Sequence, residues 1–85
     1  MSRYVFVVQP VEAYDPLLPG TVMMIKTVLD VDGPMSAMGN GPLRFIGICE
    51  ARSDAEARQH LQRRIARLPP SVPELAITEL RLATR

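Results

Sequence analysis

Apolar residues follow one another at consecutive positions in the strand-like segments of this sequence, instead of alternating with polar residues. In the first such segment Phe6 stands between Val5 and Val7, and successive side chains of a strand point to opposite faces of a sheet. A sheet with one face in water shows a regular alternation of apolar and polar residues. The sequence therefore predicts a sheet that is covered on both faces.

Eight prolines divide the chain into these apolar segments, and we interpret the prolines as connections because proline lacks a backbone N–H and interrupts helices. Four segments are rich in β-branched or aromatic residues and predict strands: residues 3–9, 21–31, 43–51 and 74–83. In the last segment the apolar phase changes after Ile77, which predicts a β-bulge near Thr78 and Glu79.

Residues 53–68 carry the pattern of one amphipathic helix. Ser53 is a favourable N-cap, and Glu56, three residues later, completes a capping box. The apolar residues recur at intervals of four, four and three, as on one face of a helix: Ala57, Leu61, Ile65 and Leu68. Pro69 and Pro70 then prevent the helix from continuing.

These elements predict a single small α+β domain over residues 1–85, with a four-stranded antiparallel or mixed sheet, one amphipathic helix and the order β-β-β-α-β. A helical turn in the connection from Pro10 to Gly20 would turn this into a reduced ferredoxin-like arrangement, and an irregular loop is the alternative. One helix of about 16 residues covers one face of such a sheet. We therefore expect a homodimer in which a second copy covers the other face, as in dimeric α/β barrels. Long loops folded over that face are the alternative.

Composition narrows the classes of function. A hydrophobic fraction of 47% with a net charge of +1 indicates a folded chain rather than a disordered one. Cys49 is the only cysteine, so no disulfide forms within the chain. No apolar run approaches the ~20 residues that span a bilayer, and the sequence predicts a cytoplasmic protein that does not bind membranes.

Two side chains are candidates for a ligand or acid–base role. His60, the only histidine, stands one helical turn after Glu56 and could act as a general base tuned by that carboxylate. Cys49 could be a reactive thiol near the start of the helix. We favour structural roles for both, because no further catalytic group accompanies them and a free cysteine is usually a buried small hydrophobe. We predict no catalytic residue, no metal site and no cofactor.

Two groups of residues are candidates for partner binding. Met35 and Met38 lie in the long connection of residues 32–42, and exposed methionines adapt well to partner surfaces. The glycines at positions 39 and 41 of this connection indicate a turn rather than a phosphate-binding loop, because no helix follows them. The second group is basic and lies on the predicted helix: Arg63, Arg64 and Arg67.

The predicted function is that of a small, non-enzymatic protein–protein interaction or accessory module, homodimeric and with a possible protein partner. One alternative is a nucleic-acid-binding protein that uses the helix arginines, although a pI of about 8.0 and few aromatic residues do not favour it. Another is a small-molecule-binding protein or enzyme of the dimeric α/β-barrel type. Its apolar pocket would be lined by Met23, Met24 and Phe45 and approached by His60.

Overall fold

Six elements follow one another in the order β-α-β-β-α-β in a computed structural model that describes residues 1–12, 18–35 and 43–83. They are β1 (Ser2–Pro10), α1 (Pro19–Leu29), β2 (Val31–Met35), β3 (Arg44–Ala51), α2 (Asp54–Ala66) and β4 (Leu75–Leu82). The strands form one sheet in the order β2-β3-β1-β4, and all neighbours are antiparallel. This α+β arrangement has the element order of the ferredoxin-like, split βαβ motif.

Both helices lie on the same face of the sheet. Ile25 and Leu29 of α1 and Leu61 of α2 belong to one buried cluster together with Phe6 of β1 and Phe45 of β3. The core is therefore a single layer between the helices and one side of the sheet, as expected for a two-layer domain.

The predicted second strand is wrong, because residues 19–29 form helix α1. Pro19 stands in the first turn, where its missing N–H costs nothing. Ile25 and Leu29 are buried, and Val22 packs against the same core, so apolar residues recur at helical spacing. The β-branched residues of this segment favour a strand by intrinsic propensity. The packing of an apolar stripe against the core outweighs that propensity. The described residues accordingly contain two helices and not one.

The real second strand, β2, is the short segment that follows α1. Asp30 adopts a left-handed conformation with φ 55°, which ends the helix, and Val31 begins the strand. Pro34 lies within β2, so the prediction that every proline falls between elements is wrong. The sheet tolerates this proline because β2 is an edge strand, where a missing backbone donor leaves no neighbouring strand unpaired.

Helix α2 and the bulge in β4 confirm two predictions. The backbone N–H of Glu56 donates a hydrogen bond to Ser53 Oγ at 3.2 Å, as expected for an N-cap. In the sheet, Val7 pairs with Glu79 and Val8 pairs with Ile77, which leaves Thr78 as the extra residue. Because of this bulge, the apolar residues of β4 that face the helices have odd numbers before Thr78 and even numbers after it.

The opposite side of the sheet, here called the open face, has no helix or strand packed on it within the described ranges. Residues that pair directly across neighbouring antiparallel strands share a face, so the register identifies its members. They are Arg3, Val5, Val7 and Gln9 of β1, Arg44, Ile46, Ile48 and Glu50 of β3, Ala76, Glu79 and Arg81 of β4, and Asp32 and Met35 of β2.

Candidate functional site

The middle of the open face is apolar. Val5 pairs with Ile48 and Val7 pairs with Ile46, so the two central strands bring four aliphatic side chains together. We call these four residues the apolar centre. Ile48 is 55% exposed, Val5 and Ile46 are half-buried, and Val7 is buried. This arrangement follows from the consecutive apolar positions of the strands, which supply the core on one side and the apolar centre on the other.

Charged side chains of both signs surround the apolar centre. Arg3 and Glu50 lie opposite each other at one end of the two central strands, and Arg44 lies towards the other end. On the β4 side, Arg81 Nε lies 3.0 Å from Glu79 Oε1. This charged rim cannot be predicted from the sequence, because only the strand register shows which charges share the face with the apolar centre.

The β2 side of the open face is acidic. A shallow depression of about 310 Å³ lies between β2 and β3, and its lining residues are Asp30, Val31, Asp32, Ile46, Gly47 and Ile48. Two carboxylates therefore border the apolar centre on this side. Within the described ranges, no three histidine, cysteine or acidic side chains come together as a metal site would require.

His60 lies in the helical layer and not on the open face. Its Nε2 atom is 3.8 Å from Glu56 Oε1, one turn earlier on α2, and both side chains are about one-third exposed. The structure thus contains the neighbouring acid that the sequence predicted. A general base also needs a reacting group within hydrogen-bond reach, and Cys49 does not supply one because it is buried beneath the helices.

Cys49 pairs directly with Tyr4 on the helix side of the sheet, and both side chains are buried. Burial raises the pKa of the Cys49 thiol, and the positive charge of Arg64 only partly opposes this effect. Burial and, next, the negative charge of Asp54 raise the pKa of the Tyr4 hydroxyl. A thiol that is kept protonated is a poor nucleophile, so these surroundings favour the structural role for Cys49.

These two groups predict a loss of stability in alkaline solution. Well below pH 9.0, the ordinary pKa of the thiol, both groups are neutral in the folded and the unfolded chain. Above that pH the unfolded chain releases its protons more readily, because both folded-state pKa values are raised, and the free energy of unfolding must fall. Urea unfolding between pH 8 and 11 measures this fall. The decline should be shallower in Cys49→Ala and in Tyr4→Phe, and an unchanged slope in both variants would contradict this origin.

The predicted partner-binding residues that the structure describes lie on two elements, α2 and β2. Arg63 and Arg67 are exposed on α2, whereas Arg64 is half-buried. Within the part of the chain that the structure describes, none of the three has a carboxylate within 4.0 Å. Met35 ends β2 at the border of the open face and is exposed, while Met38 lies outside the described residues.

The three residues predicted to line a pocket between helix and sheet differ in their exposure. Phe45 is fully buried, whereas Met23 is 60% exposed on α1 and Met24 is also exposed.

Among the residues that the structure describes, no helix has the length and apolar character needed to cross a membrane.

The open face is therefore the most distinctive surface of the described residues: an apolar centre, a rim of both charges and an acidic edge. Comparisons with known protein families, with curated proteins and with solved structures find no match for this chain. The function must accordingly be inferred from this surface.

Proposed function

We propose that this protein is a non-enzymatic, homodimeric protein-interaction module in which two copies pack open face against open face. The observation that carries the proposal is the apolar centre, whose most prominent member, Ile48, is 55% exposed on a face that no described element covers. Contiguous apolar surface of this kind marks interaction sites in soluble proteins. Two sheets with apolar faces pack about 10 Å apart, with their strand directions either within about 30° of each other or close to perpendicular.

The size of the face is compatible with a weak to moderate dimer. Four strands at ~4.8 Å spacing and about seven residues at ~3.3 Å rise project to roughly 450 Å² in each copy. The corrugation of the side chains adds to this area, which places the interface near the lower end of the range for specific complexes. We therefore expect a dissociation constant in the micromolar range.

The charges of the face support a second copy as the partner. Three arginines and three acidic residues stand on the open face itself: Arg3, Arg44 and Arg81 with Asp32, Glu50 and Glu79. A two-fold interface is self-complementary, so one patch must supply both partners of each contact. A rim with equal numbers of both signs meets this condition, whereas a rim of one sign would repel its own copy.

The open face lacks the features of a nucleic-acid surface. Four-stranded sheets that bind RNA stack bases on aromatic side chains of their exposed face. Here the central positions are aliphatic, and Tyr4, Phe6 and Phe45 lie on the helix side. Nucleic-acid binding by Arg63, Arg64 and Arg67 of α2 stays a separate prediction. It requires an affinity for mixed oligonucleotides that falls steeply with salt.

A matched pair of substitutions tests the dimer. Ile48 and Leu82 are exposed to nearly the same extent, 55% and 56%, but Ile48 lies on the open face and Leu82 pairs with Tyr4 on the helix side. Ile48→Glu should raise the dissociation constant of the dimer at least tenfold, because it buries an unpaired charge between the sheets. Leu82→Glu should leave the dissociation constant nearly unchanged. Analytical ultracentrifugation over a range of concentrations measures both.

Circular dichroism serves as the control for folding, and both variants should keep the far-UV spectrum of the parent protein. A parent protein that sediments with the mass of one 9.4 kDa chain at 100 μM, a concentration well above ~10 μM, would overturn the proposal. Equal weakening of the dimer by both substitutions would also overturn it, because the interface would then not be the open face.

A further inference from the structure

We infer that the free edge of β4 pairs with β4 of a second copy of this chain, which joins two four-stranded sheets into one continuous sheet. β4 lies at one edge of the sheet, and among the described strands only β1 pairs with it. An edge strand presents unpaired N–H and C=O groups that another strand can use. This contact is separate from the open face and does not depend on the proposed packing of the open faces.

The two edges of the sheet differ in their ability to accept a strand. β2, at the other edge, has five residues, contains Pro34 and loses its register between Asp32 and Met35. Short length, proline and irregular register all oppose edge pairing. β4 has eight residues and no proline, so β4 is the edge that has a backbone donor at every position.

Two hydrogen bonds show which backbone groups of β4 point away from β1. The N–H of Ala83 donates to the carbonyl of Arg3 at 2.8 Å, and the N–H of Val11 donates to the carbonyl of Glu74 at 2.9 Å. Hydrogen-bonded and non-hydrogen-bonded pairs alternate along antiparallel strands. Counted from these two bonds along the register, the residues whose N–H and C=O groups point outward are Leu75, Ile77, Leu80 and Leu82.

The spacing of these outward residues is what specifies a second copy as the partner. They are separated by two, three and two positions, because the bulge adds Thr78 in the middle. A regular strand presents its groups at every second position, so it matches only one half of this edge. The spacing is the same in both directions, so an antiparallel copy of β4 matches the whole edge. Leu75 then pairs with the partner's Leu82 and Ile77 with the partner's Leu80, and the symmetric pairs bring the total to about eight hydrogen bonds.

No other two-fold pairing of this edge matches as many groups. Every other antiparallel register aligns at most two of the four outward residues with outward residues of the partner. A two-fold axis along the strands makes them parallel and places each outward residue level with its own copy. The hydrogen bonds of parallel strands are slanted and join residues at different levels, so that arrangement forms none. The backbone of β4 therefore fixes both the direction and the register of the second copy.

The side chains of β4 are compatible with this register. All four outward residues are leucine or isoleucine and lie on the helix side of the sheet. Leu82 is 56% exposed in one chain, and the partner's Leu75 lies directly opposite it in the inferred pair. Glu79 lies near the two-fold axis, but its carboxylate is held by Arg81 of the same chain at 3.0 Å. No uncompensated like charges therefore meet at the axis.

The edge contact is expected to be weaker than the packing of the open faces. The eight residues of β4, at ~3.3 Å rise, form an edge about 26 Å long and one strand wide. A contact this narrow lies below the size range of specific interfaces, and we expect its dissociation constant to exceed ~100 μM. It therefore contributes little at the concentrations that populate the open-face dimer, and joins such dimers only in more concentrated solution.

Disulfide cross-linking tests the inferred register. In this pair the Cα atoms of the two copies of Glu79 are about 6 Å apart, whereas those of the two copies of Arg81 are more than ~15 Å apart. Only the first separation permits a disulfide. The two side chains are 50% and 60% exposed and form one ion pair, so Glu79→Cys and Arg81→Cys are matched variants that lose the same contact.

Both variants are made together with Ile48→Glu, which places a charge in the apolar centre and disables the open face. At about 1 mM chain under mild oxidation, Glu79→Cys should form the cross-linked dimer at least tenfold faster than Arg81→Cys. Far-UV circular dichroism checks that both are folded. Equal rates would contradict edge pairing in this register, and faster cross-linking of Arg81→Cys would move the axis to that residue and reject the inferred register.

Nuclear magnetic resonance of the Ile48→Glu protein gives a second test without a cysteine variant. As the chain concentration rises to about 1 mM, the amide resonances of Ile77 and Leu80, which point outward, should shift. Those of Ala76 and Arg81, which point towards β1, should shift less. Resonances that do not change, or that change equally at all four positions, would reject the edge contact. Because the open face is disabled in both tests, their failure leaves the proposed function standing, and a parent protein that is monomeric at 100 μM rejects the open-face dimer without rejecting this weaker contact.

Discussion

Replacing Phe6 with alanine is expected to lower the free energy of unfolding by about 3–5 kcal/mol. Phe6 is fully buried at the centre of β1 and is among the largest side chains of the core. Its removal leaves a cavity that the surrounding helices and strands can fill only in part. Domains of this size have a total stability of ~5–15 kcal/mol, so the substitution removes a large part of the stability of a domain near the lower end of this range.

Urea unfolding followed by circular dichroism measures this loss. Leu82→Ala is the control, since Leu82 is exposed on the same side of the sheet and its truncation should cost less than ~1 kcal/mol. If Phe6→Ala cost no more than this control, the packing between β1 and the helical layer would be contradicted.

The second large effect is expected from Gly47→Ala, which should destabilise the fold by about 3 kcal/mol, at the upper end of the range for overpacked cores. A Cβ atom at position 47 would lie 2.6 Å from Phe6 Cζ and 2.9 Å from Val31 Cγ1. Both side chains are buried and cannot move aside without disturbing the core. The absence of a side chain at Gly47 therefore leaves the space on β3 that the ring of Phe6 occupies.

Two further variants make this explanation specific. Gly20→Ala, the same substitution in the first turn of α1, meets no heavy atom within 4 Å and should be neutral or stabilise the chain by up to ~1 kcal/mol. Phe6→Leu shortens the side chain that the added methyl group of Gly47→Ala would strike, so the double variant should lose less stability than the sum of the two single losses. A coupling energy of zero in this double-mutant cycle would show that the destabilisation by Gly47→Ala does not come from contact with Phe6.

The sequence predicted the elements whose signals are local and unambiguous. Helix α2 has a capping residue, an apolar stripe and two terminal prolines that all agree, and the structure confirms it. The bulge near Thr78 was visible because the apolar phase changes within one strand. The two faces of β1 and β3 also follow from the sequence, since the direction of a side chain in a strand depends only on the parity of its position.

Helix α1 shows where this reasoning fails. Residues 21–31 are apolar at so many positions that both strand and helix periodicities can be found in them, and the N-cap position, Leu18, offers no side-chain cap. Short apolar segments of this kind are ambiguous without their tertiary surroundings. The error also concealed the complete β-α-β-β-α-β order. The prediction that one face of the sheet has no covering helix is unaffected by the error in α1, because both helices pack on the same side of the sheet.

By itself, the sequence determined that β1 and β3 carry apolar side chains on both faces and that α2 is amphipathic, because both properties depend on residue spacing along a single element. Only the tertiary structure decided that residues 19–29 are a helix, that Tyr4, Phe6 and Phe45 lie under the helices, and that charged residues surround an aliphatic surface. Those features depend on which strands become neighbours and in which register, and strand pairing is set by contacts between residues far apart in the chain.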